Sequence, residues 1–365
     1  MINLQFFPSR RIAFYMARLF LVRSLAVLGA LIVVLQMLDL LGESGKILAY
    51  HGNGDPELWR YVSLRMPQLI ARFLPFSVLL GTLITLATLN QNSEIVSMKA
   101  AGISAHQIIA PLVLASLGVA ALSFAFNERI VTRATDTLDA WQAVSYGPVP
   151  KDNGVRPNVW VRWSDDLIFV REVKGNGDAT RLNGVTVYDR GGETLQRIVN
   201  ARTARRQGKG WLLSGVDIFE VAKGLRTTAP TMAYGNGLDP LQFTLAKVDA
   251  DEEDFGTLRN SIHELKLTGR DTAELESGFW HKLSGPLSAV LMPLLAAIAA
   301  FGLARSGQLF VRAVIGMALG FAYFVADNFA LAMGNLGAYP PLIAAWAPFL
   351  LFLLVGEAVL IRTEE

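Results

Sequence analysis

Polar side chains at helical spacing inside apolar runs are where this chain could do chemistry. Gln36, Asp39, Glu43 and Lys46 recur at offsets of three, seven and ten, a narrow arc of one helix. Arg65, Gln68 and Arg72 repeat that spacing in a second apolar run. A charge at mid-membrane costs roughly 2.5–3.5 kcal/mol on insertion scales, so such residues face protein or water rather than lipid. Two arrangements satisfy that demand. Asp39 or Glu43 bridges to Arg65 or Arg72, with the arginine stems snorkelling, or the two stripes line a cavity whose mixed walls suit an amphiphile. Asp327-Asn328, in a later apolar run, is a further polar point, and a lone acid there would suit an ion- or proton-driven transporter.

Other chemistries find little to work with. Gly208-Lys209-Gly210 is a turn and not a phosphate cradle, so any ATP that drives this protein is hydrolysed by another chain. His51, His106, His263 and His281 are scattered without metal-ligand spacing, and the absence of Cys excludes disulfides and thiolate metal sites. A net charge of +2 gives no argument for nucleic acid. With 52% hydrophobic and 18% charged residues and a mean hydropathy of +0.37, the chain reads as a membrane protein.

The elements that must hold these residues are six spans. They run roughly over 25–41, 66–89, 107–126, 279–303, 310–333 and 342–361, each near the ~20 residues that cross about 30 Å of hydrocarbon. An arginine-rich interfacial helix, Ser9 to Arg23, leads into the first. Between the second and third spans lies a polar island, 90–104. Asn92 or Ser93 can cap a short helix there, with Glu94 in its first turn, Lys99 near its end and Gly102 as the C′ residue. Ser104 and Gln107 then have capping-box spacing. Gly316 and Gly320 form a GxxxG, open to internal packing or a subunit contact.

Basic residues in the short loops (four Arg before Ser24, Lys99, Arg305 and Arg312, Arg362) all fall on one side of six threaded spans, which predicts that side to be cytoplasmic. The long insertion is then outside the cytoplasm. It reads as β, with runs over 159–163, 167–173, 182–188, 195–204 and 211–221 separated by Gly-rich turns, followed by a return helix over 258–267. The expected fold is therefore an α-helical membrane protein with six transmembrane helices and an all-β domain, a sandwich or open barrel, between the third and fourth. Its parts are 1–127, with a short surface helix at 92–102, then 128–277, then 278–365.

This order of parts resembles the permease subunits of the lipopolysaccharide exporter, the LptF/LptG family. The likeness is carried by the island from Asn92 to Ser104, Leu182-Asn183-Gly184-Val185-Thr186-Val187-Tyr188, the stretch from Ala201 and Ala204 to Trp211, Trp280 to Leu287, Val311-Arg312 through Gly316 to Asp327, and Tyr339-Pro340-Pro341. The closing third looks more like the LptG branch. The resemblance implies an inner-membrane permease subunit without its own ATPase motif or cofactor, with 92–102 as a coupling helix and the all-β domain as a periplasmic, jellyroll-like one. Its partners would be an LptF-like subunit, an LptB-like ATPase dimer and an LptC-like bridge protein, and its cargo lipopolysaccharide. It also implies that Glu94 sits at the acidic coupling position, with Ile95 and Met98 as neighbouring contacts. Relatives commonly carry Lys on the outer part of the first span, suited to lipid phosphates. Here that region holds Gln36, Asp39 and Glu43, with only Lys46 beyond. The candidates to compensate are Arg65, Arg72, Arg129, Arg133 and Lys282, with Gln68 beside them.

Overall fold

The computed structural model describes residues 9–148, 155–175, 177–191, 194–244, 248–267, 271–302 and 309–362. Arg305, one of the loop residues used for the orientation, lies outside them. The chain divides into two compact units, one of Met1–Val149, Ala250–Phe255 and Ala273–Glu365, the other of Pro150–Asp249 and Gly256–Thr272.

The first unit is helical. Its elements are α1 (Arg10–Ala49), α2 (Asp55–Gln91), α3 (Glu94–Ala100), α4 (Ala105–Phe126) and α5 (Thr132–Ala143), joined to α4 by a π segment, Asn127–Val131. Six helical stretches in this unit are long and apolar enough to cross a membrane, as expected. Three of them are longer than expected, the second because α2 begins at Asp55 and not near residue 66. The arginine-rich lead is no separate helix but the start of a continuous 40-residue α1, capped by Ser9, whose Oγ accepts from the Ile12 amide. The third span does not end at Phe126 but passes through the π segment into α5, where Thr132 Oγ1 donates back to the Glu128 carbonyl. No Gly or Pro interrupts that run from Phe126 to Ala143, so nothing local stops it.

The charges show where apolar rod gives way to stalk. Asp39, Arg72 and Glu128 mark one end of the charge-free stretches of α1, α2 and α4. Beyond that belt the three helices continue for about 15, 25 and 22 Å at 1.5 Å per residue. Ile47, Tyr61, Leu138, Trp141 and Tyr146 form a buried cluster that closes the stalk.

The second unit contributes β1 (Val155–Trp163), β2 (Asp166–Lys174), β3 (Arg181–Gly191), β4 (Thr194–Gln207), β5 (Gly210–Glu220) and β6 (Leu225–Tyr234), then α6 (Leu241–Thr244) and nearly all of α7 (Phe255–Leu267). The expected all-β insertion is one antiparallel sheet in the order β1-β2-β3-β4-β5-β6, with up-and-down connections throughout. β6 has no counterpart among the expected strands. It is an edge strand, mostly exposed and containing Pro230, so it carries little of the alternation that marks a half-buried strand.

One row of this sheet breaks the pleat on every strand. Asn158, Gly184 and Gly215 have φ of 55°, 66° and 67°. They fall in register opposite Arg171, Arg202 and Pro230, so the row reads Asn158, Arg171, Gly184, Arg202, Gly215, Pro230 across all six strands. Inward side chains are accordingly three apart across the row, Val170 and Val173, Leu182 and Val185, Ala201 and Ala204, Leu213 and Val216, where period two would make them two or four apart. The result is a transverse crease. Left-handed φ explains glycine on β3 and β5, and asparagine is the side chain that best tolerates it on β1.

The first unit closes with α8 (Ala273–Ala297), α9 (Leu309–Asn335) and α10 (Pro341–Arg362). Lys282 and Asp327 continue the charged belt on α8 and α9. Of the two readings of the GxxxG, internal packing is the one realised. A Cβ at Gly316 would meet Leu83 Cδ2 of α2 at 2.7 Å, and Gly320 is closed off by Leu79. The bundle core around them includes Met16, Phe20, Leu86, Ile108, Leu291 and Leu295.

Candidate functional site

The first site is the island. α2 runs to Gln91, which leaves two residues to reverse the chain before α3. Ser93 does this in the left-handed region at φ 58° and makes no side-chain cap; Asn92 Nδ2 instead donates to Glu94 Oε1 at 3.3 Å. The far end is the one the sequence anticipates. Gly102 at φ 82° lets its own N–H reach the Lys99 carbonyl and the Ile103 N–H reach the Met98 carbonyl, both at 3.0 Å, the paired bonds of a Schellman motif. The Met98 and Ile103 side chains pack against the same core. Ser104 and Gln107 then exchange side-chain and backbone bonds at 3.2 and 3.1 Å as a capping box. Both backbone ends of α4's entry are thus satisfied within fifteen residues.

α3 is anchored by one residue. Ile95 is 5% exposed and buried in the bundle core, worth about 2 kcal/mol. Met98 is half-buried, and the exposed face consists of Val96, Ser97, Lys99 and Ala100. Glu94 is half-buried and accepts from Tyr15 Oη of α1 at 3.3 Å. The seven-residue helix is held on the bundle while presenting a small, mixed surface.

The second site is the belt. Asp39 accepts Arg65 Nε and Nη2 at 3.2 Å each, a two-pronged contact, and Tyr61 Oη at 2.6 Å. Arg65 Nη1 donates to Gln68 Oε1 at 2.6 Å, and Gln68 Nε2 donates to Thr135 Oγ1 of α5 at 3.0 Å. One connected chain therefore ties α1, α2 and α5 together. Glu43 belongs to a second network, accepting Lys46 Nζ at 2.8 Å and Tyr146 Oη at 2.7 Å. Burial first, then the bond to Glu43, pushes the Tyr146 phenol up to about 12, so it stays a neutral donor at physiological pH. Arg60 lies 4.5 Å over the Trp141 ring in the same wall. Lys282 lies 3.5 Å from Glu128, whose other oxygen accepts the Phe255 amide at 2.6 Å.

Of the two arrangements open to the stripes, the bridge is realised between Asp39 and Arg65. Arg72 and Arg133 stand differently. Both are exposed, and neither guanidinium has an ion-pair or hydrogen-bond partner among the described residues; that of Arg129 is alike in both respects. Arg72 lies one turn from Gln68 on the same side of α2, whereas Arg133, two residues from Thr135, lies about 200° around α5 from it. Gln36 is 7% exposed with both amide atoms unpaired.

The model of the lipopolysaccharide export system permease LptF/LptG family matches residues 14–362. This chain belongs to that family. It is 27% identical over 309 residues to the lipopolysaccharide export system permease protein LptG of Escherichia coli (strain K12), covering 83% of this chain and 84% of that one. It is also 26% identical over 326 residues to the protein of the same name from Haemophilus influenzae (strain ATCC 51907 / DSM 11121 / KW20 / Rd), covering 86% and 89%. The LptF/LptG match takes in both sites and the creased sheet.

Several partners in this LptF/LptG chain were not anticipated. Tyr61 stands four residues before Arg65, on the same stripe, and that spacing was a usable signal. Thr135 and Tyr146 had none, since they sit beyond the point where the third span was expected to end. Asp327 has a partner on another helix, His281 Nε2 at 3.1 Å. The pair is 46 residues apart in sequence and no periodicity links them. Among the described residues no group of three His, Cys, Asp or Glu could hold a metal ion.

Proposed function

We propose that this chain is the LptG-like permease subunit of an ABC transporter that takes lipopolysaccharide from the bacterial inner membrane and passes it to a periplasmic bridge. ATP is hydrolysed on an LptB-like ATPase dimer, and an LptF-like permease and an LptC-like protein complete the assembly. The chain carries no cofactor of its own. Its termini and α3 lie in the cytoplasm, in keeping with the basic short loops, and the creased sheet in the periplasm. The observation that carries the proposal is the construction of α3. A helix of seven residues is fixed by a buried Ile95, a Schellman end and a following capping box, yet leaves Val96, Ser97, Lys99 and Ala100 outward. A connector needs no such fixing; a docking element that transmits force does.

In this reading Glu94, Ile95 and Met98 form the coupling position, with Ile95 as the anchor, Met98 half-buried beside it and Val96 as the outward apolar contact. At the other end, Arg72 and Arg133 are the phosphate-binding groups, because Asp39 occupies Arg65 and Glu128 occupies Lys282. Gln36, Asp39, Glu43, Lys46 and Gln68 shape the cavity wall. The test is ATP-driven release of lipopolysaccharide from proteoliposomes holding the whole complex. Arg72→Ala with Arg133→Ala should lower photocrosslinking of lipopolysaccharide at this belt about tenfold and leave assembly and melting temperature unchanged. Unchanged crosslinking in the assembled double variant would contradict the assignment of these two residues.

A further inference from the structure

The crease of the sheet does more than bend it. On the outward side it opens a groove of about 960 Å³, lined among others by Phe169, Arg171, Asn183, Thr186, Asn200 and Arg202. The two arginines are held there by the row of left-handed residues. A Cβ at Gly184 would meet Arg171 Cβ at 3.0 Å and Nε at 3.5 Å, and a Cβ at Gly215 would meet Arg202 Cδ at 3.1 Å and Cγ at 3.2 Å. Each arginine stem therefore lies across the glycine of the neighbouring strand, which pre-orders a side chain that would otherwise be freely mobile. Arg171 is on β2 and Arg202 on β4, so their backbones are about 10 Å apart, two inter-strand steps.

The two acids among the lining residues, Glu172 and Asp217, have ion-pair partners other than Arg171 and Arg202. Glu172 has Lys174 at 3.3 Å and accepts from Asn183 Nδ2 at 3.4 Å, contacts that hold its carboxyl below the usual range, Asn183 first. Asp217 Oδ1 has Arg226 Nε at 3.3 Å as an ion pair, without a hydrogen bond. Neither Arg171 nor Arg202 has an ion-pair partner among the described residues, and both are exposed. Around them lie neutral groups of the kind that bind hydroxyls. Thr186 Oγ1 donates to Asn200 Oδ1 at 2.9 Å, which fixes the amide and leaves its nitrogen as a donor, and Thr228 lines the same wall. Outside the lining itself, Trp160 is half exposed, packed on the lining residue Phe169 at 4.8 Å and stacked with Tyr188 at 6.0 Å and 16°. An aromatic platform, amide and hydroxyl donors and two fixed guanidiniums are together the chemistry that recognises a sugar bearing acidic groups. A simple inorganic anion would need only the guanidiniums.

We propose that the outward crease of the β unit is a binding site for an anionic saccharide, a sugar frame about as long as a disaccharide that carries phosphate or carboxylate groups to Arg171 and Arg202. The same chemistry belongs to a free phosphorylated oligosaccharide and to the headgroup of a membrane glycolipid. The site lies in the β unit, away from both α3 and the charged belt in sequence, so it stands or falls independently of the docking and phosphate roles proposed above.

The experiment is calorimetric titration of the full-length chain in nanodiscs free of lipopolysaccharide. The probes are the fully deacylated phosphorylated oligosaccharide of lipopolysaccharide, the same oligosaccharide after dephosphorylation, inorganic phosphate, and intact lipopolysaccharide. The site predicts binding of the phosphorylated oligosaccharide that weakens at least tenfold in Arg171→Gln with Arg202→Gln, about 1.4 kcal/mol. Arg171→Lys with Arg202→Lys should keep part of it, and the dephosphorylated sugar and inorganic phosphate should each bind at least tenfold more weakly. A melting temperature within 2 °C of the parent, roughly the effect of less than 1 kcal/mol, shows that the variants are folded. Arginine-dependent binding of both the oligosaccharide and the intact lipid identifies the source as a glycolipid headgroup. Arginine-dependent binding of the oligosaccharide with none of the lipid identifies a free saccharide. Binding of the phosphorylated oligosaccharide that is equal in folded parent and double variant overturns the site, and inorganic phosphate binding as tightly as the oligosaccharide overturns its saccharide specificity.

Discussion

The two ends of the helical bundle solve opposite problems. At the island end, the backbone groups are satisfied locally by a Schellman motif and a capping box, and one apolar side chain, Ile95, holds the helix down. At the stalk end the backbone is continuous helix, and it is the side chains that need partners. Asp39, Arg65, Gln68 and Thr135 form one chain of bonds across three helices, with Glu43, Lys46 and Tyr146 forming another. The difference teaches where to look for function in a membrane protein of this kind. A charged residue at a belt is first a structural partner, and it becomes a ligand-binding candidate only when its neighbours have not already claimed it. Arg72 and Arg133 meet that condition and Arg65 does not.

The contrast can be broken most severely at Arg65. Arg65→Ala leaves Asp39 partly buried with only Tyr61 as donor, and should cost roughly 2 kcal/mol of stability. Asp39→Asn added to Arg65→Ala should restore part of the lost melting temperature. Additive losses in that double-variant cycle would show that the two residues do not act as a pair. At the island end the expected effect is on docking rather than folding. Glu94→Lys opposes the helix dipole and reverses the sign of the coupling position, and should weaken binding of the ATPase about tenfold, about 1.4 kcal/mol, with insertion and melting unchanged. A variant that binds the ATPase normally would reduce α3 to a connector. The mildest change is Tyr146→Phe. It removes one donor from Glu43, which keeps Lys46, so the loss should be about 1 kcal/mol or less, read as a small drop in melting temperature. A loss as large as that of Arg65→Ala would mean that the stalk cluster, and not the Asp39 network, is the main tie.

What could be read from the sequence was local. Gly102, Ser104 and Gln107 do their work within a few residues of themselves, so spacing alone placed the end of α3 and the start of α4. The start of α3 was legible only in part, because Ser93 is turned left-handed by the shortness of the link from α2, a constraint that no cap propensity contains. Apolar runs located the six spans but not their ends. The stalk parts of α1, α2 and α5 are polar on the outside and are held as helix by Tyr61, Leu138, Trp141 and Tyr146 packing together. In the β unit, turns marked five strands, while β6 was hidden by its exposure and its proline. The crease was the least legible feature. Asn158, Arg171, Gly184, Arg202, Gly215 and Pro230 are unremarkable one at a time, and only strand register sets them in a row.

The central claim is that α3 is gripped by an ATPase on its outward face while Ile95 faces the bundle. Because the chain contains no Cys, single cysteines report cleanly. Val96, 61% exposed, and Ile95, 5% exposed, are adjacent in sequence and about 100° apart around the helix. With Val96→Cys and Ile95→Cys each assembled into the complex, a short bifunctional thiol crosslinker should join the Val96 position to the ATPase and leave the Ile95 position unlinked. Crosslinking at Ile95 with none at Val96, or at neither position in an assembled and active complex, would contradict the account.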